Sequence, residues 1–393
     1  MGMAMSVEIT DVEAIPIVAS IPGNFSAPIS LPNADQVEDI VFRGYRSTVV
    51  KVHTNEGVTG IGEVMTRIAP MMYKPLVENA LGKSLIGMDP RDIDKAWDLM
   101  IAMMRQRGHA KGAYVEGISG IEMALWDIAG KLQGKSISRL IGSRRRDSVK
   151  AYASSLRFRD EETLREEART YREQGYPAAK LKVGKGVETD LNNIRVVREA
   201  MGDDMDLMVD ANCGYDVHTA IELGEKMEQY DISWFEEPVF PENFTGYKRI
   251  ASAINIPLAG GECEFTRWGF QNFLDTNAVD FVQPNVGRAG GFRECLRIAD
   301  MASAKDLIYA PHTGSSSAIT MAAELQIAGT VPNFGIYEHM QSDWSKEHGN
   351  PLREDLVEED VEVYEDGEVV VPDRPGLGIT LNEDVVEEHR IDQ

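Results

Sequence analysis

The chain has 393 residues, 43% of them hydrophobic and 26% charged, which is typical of a soluble globular protein. This length exceeds that of a typical single core and predicts two domains. The net charge of −24 opposes nucleic acid and anionic membrane surfaces as partners, and no stretch approaches the roughly 18 apolar residues of a membrane span.

The three cysteines, Cys213, Cys263 and Cys295, form no CxxC pair and cannot all be paired within one chain. Reduced thiols in a cytoplasmic protein are the simplest interpretation. The first residues contain no basic region followed by an apolar run, so we expect no secretory leader.

The N-terminal third has a pattern of strands followed by helices. Residues 47–54 alternate as a strand does, residues 55–57 predict a turn, and residues 58–63 predict a returning strand. Helical periodicity follows at residues 90–107 and 115–140. Strands and then helices, without alternation, predict an α+β domain over residues 1–145.

From about residue 148 to residue 340, strands and helices alternate. The predicted helices span residues 161–174, 189–201, 217–230, 244–254, 267–274, 291–304 and 316–329. This alternation predicts a parallel sheet that closes as a TIM barrel, assigned to residues 146–353. The acidic remainder, residues 354–393, contains a predicted hairpin around Asp366 and Gly367, and we expect it to pack back onto the first domain.

A series of polar residues follows the predicted barrel strands at steps of 28, 26, 26, 23, 27 and 26 residues. Its members are Lys182, Asp210, Glu236, Glu262, Asn285, His312 and Glu338. The active sites of such barrels lie at the carboxyl ends of the strands, so the series predicts a reaction centre.

Three successive members, Asp210, Glu236 and Glu262, are carboxylates. Neighbouring strands lie about 4.8 Å apart, so the three side chains can converge. They would repel one another without a cation, and oxygen ligands of this kind favour Mg²⁺ or Mn²⁺. Solvated acids at strand ends are the alternative interpretation.

Lys180 and Lys182 share one strand and therefore one face. If that face is the barrel interior, the pair indicates an anionic ligand, because a buried lysine needs an anion nearby. A second cation and a metal would lower the pKa of Lys182 and let it act as a base. His312 lies five steps along the series from Lys182 and could serve as a second base or as a proton donor. Solvated lysines and a structural histidine are the alternatives.

These residues together resemble the mandelate racemase subgroup of the enolase superfamily, the mandelate racemase/muconate lactonizing enzyme family. The resemblance also rests on Glu236-Glu237-Pro238, Gly261-Glu262, Gln283-Pro284-Asn285, Gly290-Gly291, Pro311-His312 and the helix at residues 117–131. It implies a modified (β/α)7β barrel with an N-terminal α+β capping domain that the C-terminal tail completes.

The resemblance implies abstraction of the proton α to a carboxylate, with Mg²⁺ stabilising an enediolate. Lys182 and His312 would be the acid/base catalysts, Lys180 and Glu338 would bind the substrate carboxylate, and Asn212 and Gln283 are further polar partners. Asn285 stands where the subgroup usually has an aspartate beside the histidine. We expect it to accept a hydrogen bond from the imidazole without stabilising imidazolium, which makes His312 less basic.

Dehydration of a sugar acid is the function that this resemblance favours. Racemisation or epimerisation of a 2-hydroxy acid is the first alternative, and a non-catalytic acid-binding barrel and a Schiff-base aldolase are the others. Loops at residues 22–39, 65–73 and 105–111 are the candidates for substrate choice. By the same resemblance we expect a homo-oligomer, between a dimer and an octamer.

Overall fold

The computed structural model describes residues 7–20, 44–340 and 349–392, so the candidate loop at residues 22–39 lies outside the described residues. None of the helices within these ranges is long and apolar enough to cross a membrane. The domain boundaries predicted after residues 145 and 353 stay predictions.

The first part of the chain is an antiparallel sheet in the order β1-β2-β3. Its strands are β1 (Ile9–Ser20), β2 (Gly44–Thr54) and β3 (Thr59–Val64). The predicted hairpin is confirmed as β2 and β3, which pair from Thr48 opposite Val64 to His53 opposite Thr59.

Two helices, α1 (Ile93–Arg105) and α2 (Ala113–Gln133), pack with this sheet, and helical turns over residues 70–84 precede them. Helix α2 lies directly against β3, since a Cβ at Gly62 would come within 2.0 Å of the Gly120 carbonyl oxygen. The helix predicted over residues 115–140 is interrupted, because Gly134 ends α2 in a left-handed conformation and a short α3 (Ile137–Leu140) follows.

The second part is a barrel of eight parallel strands. They are β4 (Ser148–Leu156), β5 (Ala178–Lys182), β6 (Asp206–Asp210), β7 (Ile232–Glu236), β8 (Leu258–Gly260), β9 (Phe281–Val282), β10 (Ile308–Tyr309) and β11 (Tyr337–His339). Neighbours pair in chain order, β11 pairs with β4, and Phe334 bridges to Tyr309, which closes the barrel.

Helices fill each of the seven connections between these strands. They are α4 (Glu161–Glu173), α5 (Val187–Met201), α6 (Val217–Met227), α7 (Phe244–Ala251), α8 (Thr266–Leu274), α9 (Val286–Ala289) with α10 (Phe292–Ser303), and α11 (Ala318–Ala328). The (β/α)7β barrel with a capping domain is therefore confirmed.

One layer of side chains fills the barrel interior. It consists of Tyr152, Ala178, Met208, Trp234, Ala259, Phe281, Ala310 and Ile336. Six of them come from strands β4 to β9, and the other two lie next to the ends of β10 and β11. Because this layer packs as a core, the barrel is not a pore, and the polar side chains of the site lie on the carboxyl-end side of this layer.

The C-terminal tail divides between the two parts of the molecule. Its predicted hairpin is present as β12 (Tyr364–Glu365) and β13 (Glu368–Val370), but β13 pairs with β4 of the barrel and not with the first domain. The physical reason is a free edge: β11 pairs with residues 151–153 of β4, which leaves residues 148–150 open to β13. Two described helices also lie in this part of the chain: α12 (Pro351–Glu354), where the tail begins, and α13 (Glu383–His389), near its end.

The rest of the tail packs against the first domain, as expected. The Leu377 backbone N–H donates to Asp127 Oδ1 of α2 at 2.9 Å. After α13, the Ile391 N–H donates to the Pro16 carbonyl oxygen of β1 at 3.1 Å. The tail thus holds the barrel and the capping domain together.

Two buried carboxylates of the capping domain accept hydrogen bonds at the N-termini of barrel helices. Glu63 of β3 accepts from the Ser317 and Thr320 N–H groups at the start of α11. Glu122 of α2 accepts from the Phe292 and Arg293 N–H groups at the start of α10, at 2.8 and 2.9 Å. Such positions favour anions, so these contacts fix how the capping domain sits on the barrel.

Candidate active site

Strand register brings the first three members of the polar series side by side. Lys182 pairs with Asp210 and Asp210 pairs with Glu236, so the ends of β5, β6 and β7 lie in one row. Glu262, Asn285 and His312 follow β8, β9 and β10 by two or three residues, and Glu338 lies within β11. Because the barrel is closed, the seven side chains line one mouth.

Lys180 is buried in the barrel among carboxylates. Its Nζ lies 2.8 Å from Glu236 Oε1, 2.9 Å from Glu338 Oε1 and 3.7 Å from Asp210 Oδ2. Burial lowers the pKa of Lys180, but the charges of Glu236 and Glu338 outweigh it and hold the pKa well above its usual value. Lys180 is therefore a permanent ammonium ion and not a base.

Lys182 lies nearer the solvent than Lys180, with 20% of its side chain exposed compared with 1%. Its ammonium group donates to Asp210 Oδ2 and, at 2.8 Å, to Asn212 Oδ1. Asn212 also donates its backbone N–H to Asp210 Oδ1 at 2.8 Å. Asp210 and Asn212 therefore hold the Lys182 amine at the open side of the row.

Glu338 accepts hydrogen bonds at both oxygens. Ser154 Oγ and Lys180 Nζ donate to Oε1 at 2.6 and 2.9 Å, and the Thr313 and Gly314 N–H groups donate to Oε2 at 2.7 and 3.1 Å. Burial raises the pKa of Glu338, but Lys180 and then His312 lower it well below its usual value. In this arrangement Glu338 is an ionised partner of Lys180; its contact with a substrate carboxylate stays a prediction.

Glu262 lies between two cationic or potentially cationic groups. Arg67 donates to Oε1 at 3.0 Å, and His312 Nε2 is 3.2 Å from Oε2. Burial raises the pKa of Glu262, but His312 and Arg67 outweigh it and leave the pKa at about 2. Arg67 belongs to the candidate loop at residues 65–73, so this loop reaches the barrel mouth.

Asn285 donates a hydrogen bond to His312, the opposite of the polarity expected from the sequence. Its Oδ1 accepts the Gly287 N–H at 2.9 Å at the start of α9, so its amide nitrogen faces His312 Nδ1 at 3.2 Å. Nδ1 is then the acceptor, and the imidazole proton lies on Nε2, toward Glu262. Burial lowers the pKa of His312 from 6.5, in spite of the opposing charge of Glu262.

The three carboxylates predicted as metal ligands do not form one tight group. Asp210 contacts Lys182, Glu236 contacts Lys180, and Glu262 contacts Arg67. Among the described residues, one set of three metal-ligating atoms lies within 4.8 Å of one another, and it comprises Glu237, Glu262 and Cys263.

The acidic side chains of the mouth nevertheless fit a divalent cation. Five of them, Asp210, Glu236, Glu237, Glu262 and Glu338, lie together with the cations Lys180, Lys182, Arg67 and Arg288. Burial, and next the charge of Asp210, raise the pKa of Glu236 to about 8. With this pKa Glu236 is mostly protonated near neutral pH, and a divalent cation among these buried oxygens would ionise it, which matches the preference of Mg²⁺ for carboxylate ligands.

Comparison with known families agrees with this geometry. A family model described as mandelate racemase/muconate lactonizing enzyme, N-terminal domain, matches residues 43–142, and one described as enolase C-terminal domain-like matches residues 163–385. The chain belongs to the mandelate racemase/muconate lactonizing enzyme family of the enolase superfamily.

Named members of the family act on sugar acids or their lactones. The chain is 39% identical over 350 residues to D-galactarolactone cycloisomerase of Agrobacterium fabrum, covering 87% of this chain and 91% of that protein. It is 33% identical over 344 residues to arabinonate dehydratase of Saccharolobus solfataricus, covering 86% and 89%. The crystal structure of 3,6-anhydro-D-galactonate cycloisomerase from Zobellia galactanivorans superposes with a TM-score of 0.85 at 32% identity, covering 98% and 100%.

Gln283 of this chain, another predicted site residue, is buried directly after β9. Its Nε2 donates to Glu236 Oε2 at 2.7 Å, and Trp234 Nε1 donates to the same oxygen at 3.0 Å. Gln283 Oε1 is buried and has no hydrogen-bond partner among the described residues. Gln283 therefore orients Glu236, and its contact with substrate stays a prediction.

The sequence did not assign site roles to Tyr152 and Ser154 of β4. The Tyr152 ring lies 5.3 Å from Lys180 Nζ, and Ser154 donates to Glu338. The polar series starts at Lys182 on β5 and therefore does not include this strand. The available signal was the spacing of two residues, which gives both side chains the same face, as for Lys180 and Lys182.

Proposed function

We propose that this protein dehydrates a sugar acid: it removes the proton α to the carboxylate and expels the β-hydroxyl as water. The enol product tautomerises to a 2-keto-3-deoxy acid. The observation that carries the proposal is the pairing of a permanently charged Lys180 with a more exposed Lys182 on the same strand face, beside three strand-end carboxylates.

Asp210, Glu236 and Glu262 are the proposed ligands of Mg²⁺, or of Mn²⁺ in its place. When bound, the ion would stabilise the negative charge that develops on the substrate carboxylate as the α-proton leaves. The burial of all three acids supports this assignment, because a buried carboxylate needs a cation nearby.

The remaining steps belong to side chains of this chain. Lys180, held by Glu236 and Glu338, presents a fixed positive charge to the substrate carboxylate. Lys182 in its unprotonated form accepts the α-proton. His312 carries its proton on Nε2 and hydrogen-bonds the departing hydroxyl through it, and the proton that Lys182 has gained passes to that hydroxyl, so that water leaves and Lys182 is again unprotonated.

Cycloisomerisation of a sugar lactone is the second candidate. It is favoured by the 39% identity to D-galactarolactone cycloisomerase, and it uses the same α-proton chemistry. Racemisation is disfavoured, because Asn285 donates to His312 Nδ1 and offers no charge to stabilise an imidazolium ion.

Incubation with Mg²⁺ and a panel of aldonic acids, aldaric acids and their lactones separates these candidates. Dehydration predicts a product lighter by one water that condenses with semicarbazide as a 2-keto acid does. A product of unchanged mass from a lactone would support cycloisomerisation. Borohydride trapping of a lysine adduct would indicate an aldolase, and binding without turnover would indicate a non-catalytic barrel.

We further propose a homo-oligomer in the cytoplasm. The oligomer rests on membership of the family. The location is supported by Cys213, Cys263 and Cys295, which are all free thiols.

A further inference from the structure

A group of thiols and carboxylates lies beside the predicted magnesium ligands. Ligand atoms of Glu237, Glu262 and Cys263 all lie within 4.8 Å of one another. Cys213 Sγ is 3.7 Å from Glu237 Oε2, and Cys263 Sγ is 4.0 Å from Glu262 Oε1. We call these four residues the thiol-carboxylate cluster.

Glu237 is the residue that marks this cluster as a site. It is only 2% exposed, and its Oε1 has no hydrogen-bond partner among the described residues. A buried carboxylate oxygen without a donor is costly unless a cation or a donor accompanies it. The proposed dehydration leaves Glu237 without a role, so its burial calls for another ligand.

The backbone directs Glu237 and Cys213 to the same place. Both residues have positive φ, at 40° and 61°, which is uncommon for residues other than glycine. The Cys213 N–H donates to the Glu237 carbonyl oxygen at 2.8 Å, which joins the turns after β6 and β7.

We propose that the thiol-carboxylate cluster binds a thiophilic divalent cation of the Zn²⁺ class. Sulfur ligands favour such ions over Mg²⁺, and mixed sulfur and carboxylate sets suit the four-coordinate geometry of Zn²⁺. Each thiol that ligates the ion releases its proton to solvent.

Glu262 gives this site a consequence for activity. It belongs both to the cluster and to the proposed magnesium ligands, so the two ions compete. Zn²⁺ would then act as an inhibitor that excess Mg²⁺ relieves. This consequence rests on the proposed function, whereas binding to the cluster does not.

Arg288 Nη1 lies 3.9 Å from Cys263 Sγ, and the cation that contacts a carboxylate group of the cluster is Arg67. Its guanidinium donates to Glu262 Oε1 at 3.0 Å, and 39% of its side chain is exposed. A divalent ion at the cluster must displace this contact. Replacement of Arg67 by methionine is therefore expected to strengthen the binding of the thiophilic ion.

Titration of the full-length protein with Cd²⁺ tests the site without any assay of activity. Cadmium bound to a thiolate gives a ligand-to-metal charge-transfer band in the ultraviolet, which carboxylates alone do not give. We expect the band in the wild type and in C295A, because Cys295 is a buried thiol of α10 outside the cluster. We expect C213S/C263S, which removes both thiols of the cluster, to lose it and R67M to reach saturation at lower Cd²⁺.

A band that C213S/C263S retains, or the absence of a band in the wild type, would overturn the inference. A second measurement covers the case that C213S/C263S misfolds. In the wild type, Cd²⁺ should protect Cys263 from alkylation, as mapped by mass spectrometry, and unprotected Cys263 would count against the site. If no sugar acid is turned over but the band and protection are present, the proposed function fails and the site stands.

Discussion

The side chain of Asn285 contacts two parts of the site at once. Its carbonyl oxygen accepts from the start of α9, and its amide nitrogen donates to His312 Nδ1, to the His312 carbonyl oxygen at 3.0 Å and to Ser316 Oγ at 3.3 Å. An aspartate could make the first contact but none of the donations. Asn285 therefore determines the tautomer of His312 as well as its position.

Replacing Asn285 with aspartate should raise the pKa of His312, because a carboxylate facing Nδ1 stabilises the imidazolium ion. The lost donations should also lower the free energy of unfolding by about 1–3 kcal/mol. The pKa is measured by NMR titration of the imidazole, assigned with a H312N variant.

The matched control is N333D. Asn333 also donates its amide to two backbone carbonyl oxygens, those of Ala299 and Leu307, at 3.1 and 3.0 Å. N333D should lose stability without changing the pKa of His312. An unchanged His312 pKa in N285D would contradict the assigned hydrogen bond.

At the scale of the elements, the hairpin that pairs with strand β4 has one property that the sequence could predict and one that it could not. The hairpin at residues 364–370 could be predicted, because Asp366 and Gly367 favour a turn between two short strands. Its partner could not, since the free edge of β4 exists only after β11 has paired with the other half of that strand. Long-range pairing of this kind leaves no local signal.

The end of the tail is held to the capping domain by Asp392. Its carboxylate accepts from Arg390 Nε at 2.5 Å, and Lys74 Nζ is 2.7 Å away. The hydrogen bond from Arg390 is the main cause that lowers the pKa of Asp392 to about 2. Since this pKa lies below the usual value of about 4, the stabilisation is full above pH 4 and is lost as the pH falls toward 2.

The variant D392N should lower the free energy of unfolding by less than about 1 kcal/mol at pH 7. The difference from the wild type should shrink as the pH falls below about 4, because both proteins then carry an uncharged side chain. Urea denaturation across this pH range measures it, with E388Q on α13 as the control. A difference that is independent of pH would refute the charge-based anchor.

At the scale of the whole molecule, buried acids of the capping domain fix its position on the barrel. Glu63 accepts from Ser47 Oγ and Ser317 Oγ, each at 2.7 Å, and from two N–H groups at the start of α11. The capping domain also supplies Arg67 to the barrel mouth. Movement of the domain would therefore change the site.

Replacing Glu63 with glutamine should lower the free energy of unfolding by about 1–3 kcal/mol, because the new amide group faces hydrogen-bond donors. E56Q, in the exposed turn after β2, is the control and should change it by no more than about 0.5 kcal/mol. Chemical denaturation gives both values. Equal stabilities of E63Q and E56Q would contradict the role assigned to Glu63.

The barrel and its reaction centre were predicted mainly from the regular spacing of the residues from Lys182 to Glu338, since barrel strands repeat at nearly constant intervals and bring their ends to one mouth. What spacing could not supply is which atoms meet across the barrel. The partners of Glu262, the direction of the hydrogen bond from Asn285, and the place of Arg67 depend on loop conformations and on packing between domains.

The central claim is that Lys182 removes the α-proton, and exchange of that proton in D₂O tests it most directly. With Mg²⁺ and the sugar acid that is turned over, the wild type should incorporate deuterium at the α-carbon of substrate or product, as measured by NMR. K182M should show none, whereas K185M, three residues further along the chain, should exchange as the wild type does. Retained exchange in K182M would contradict the account.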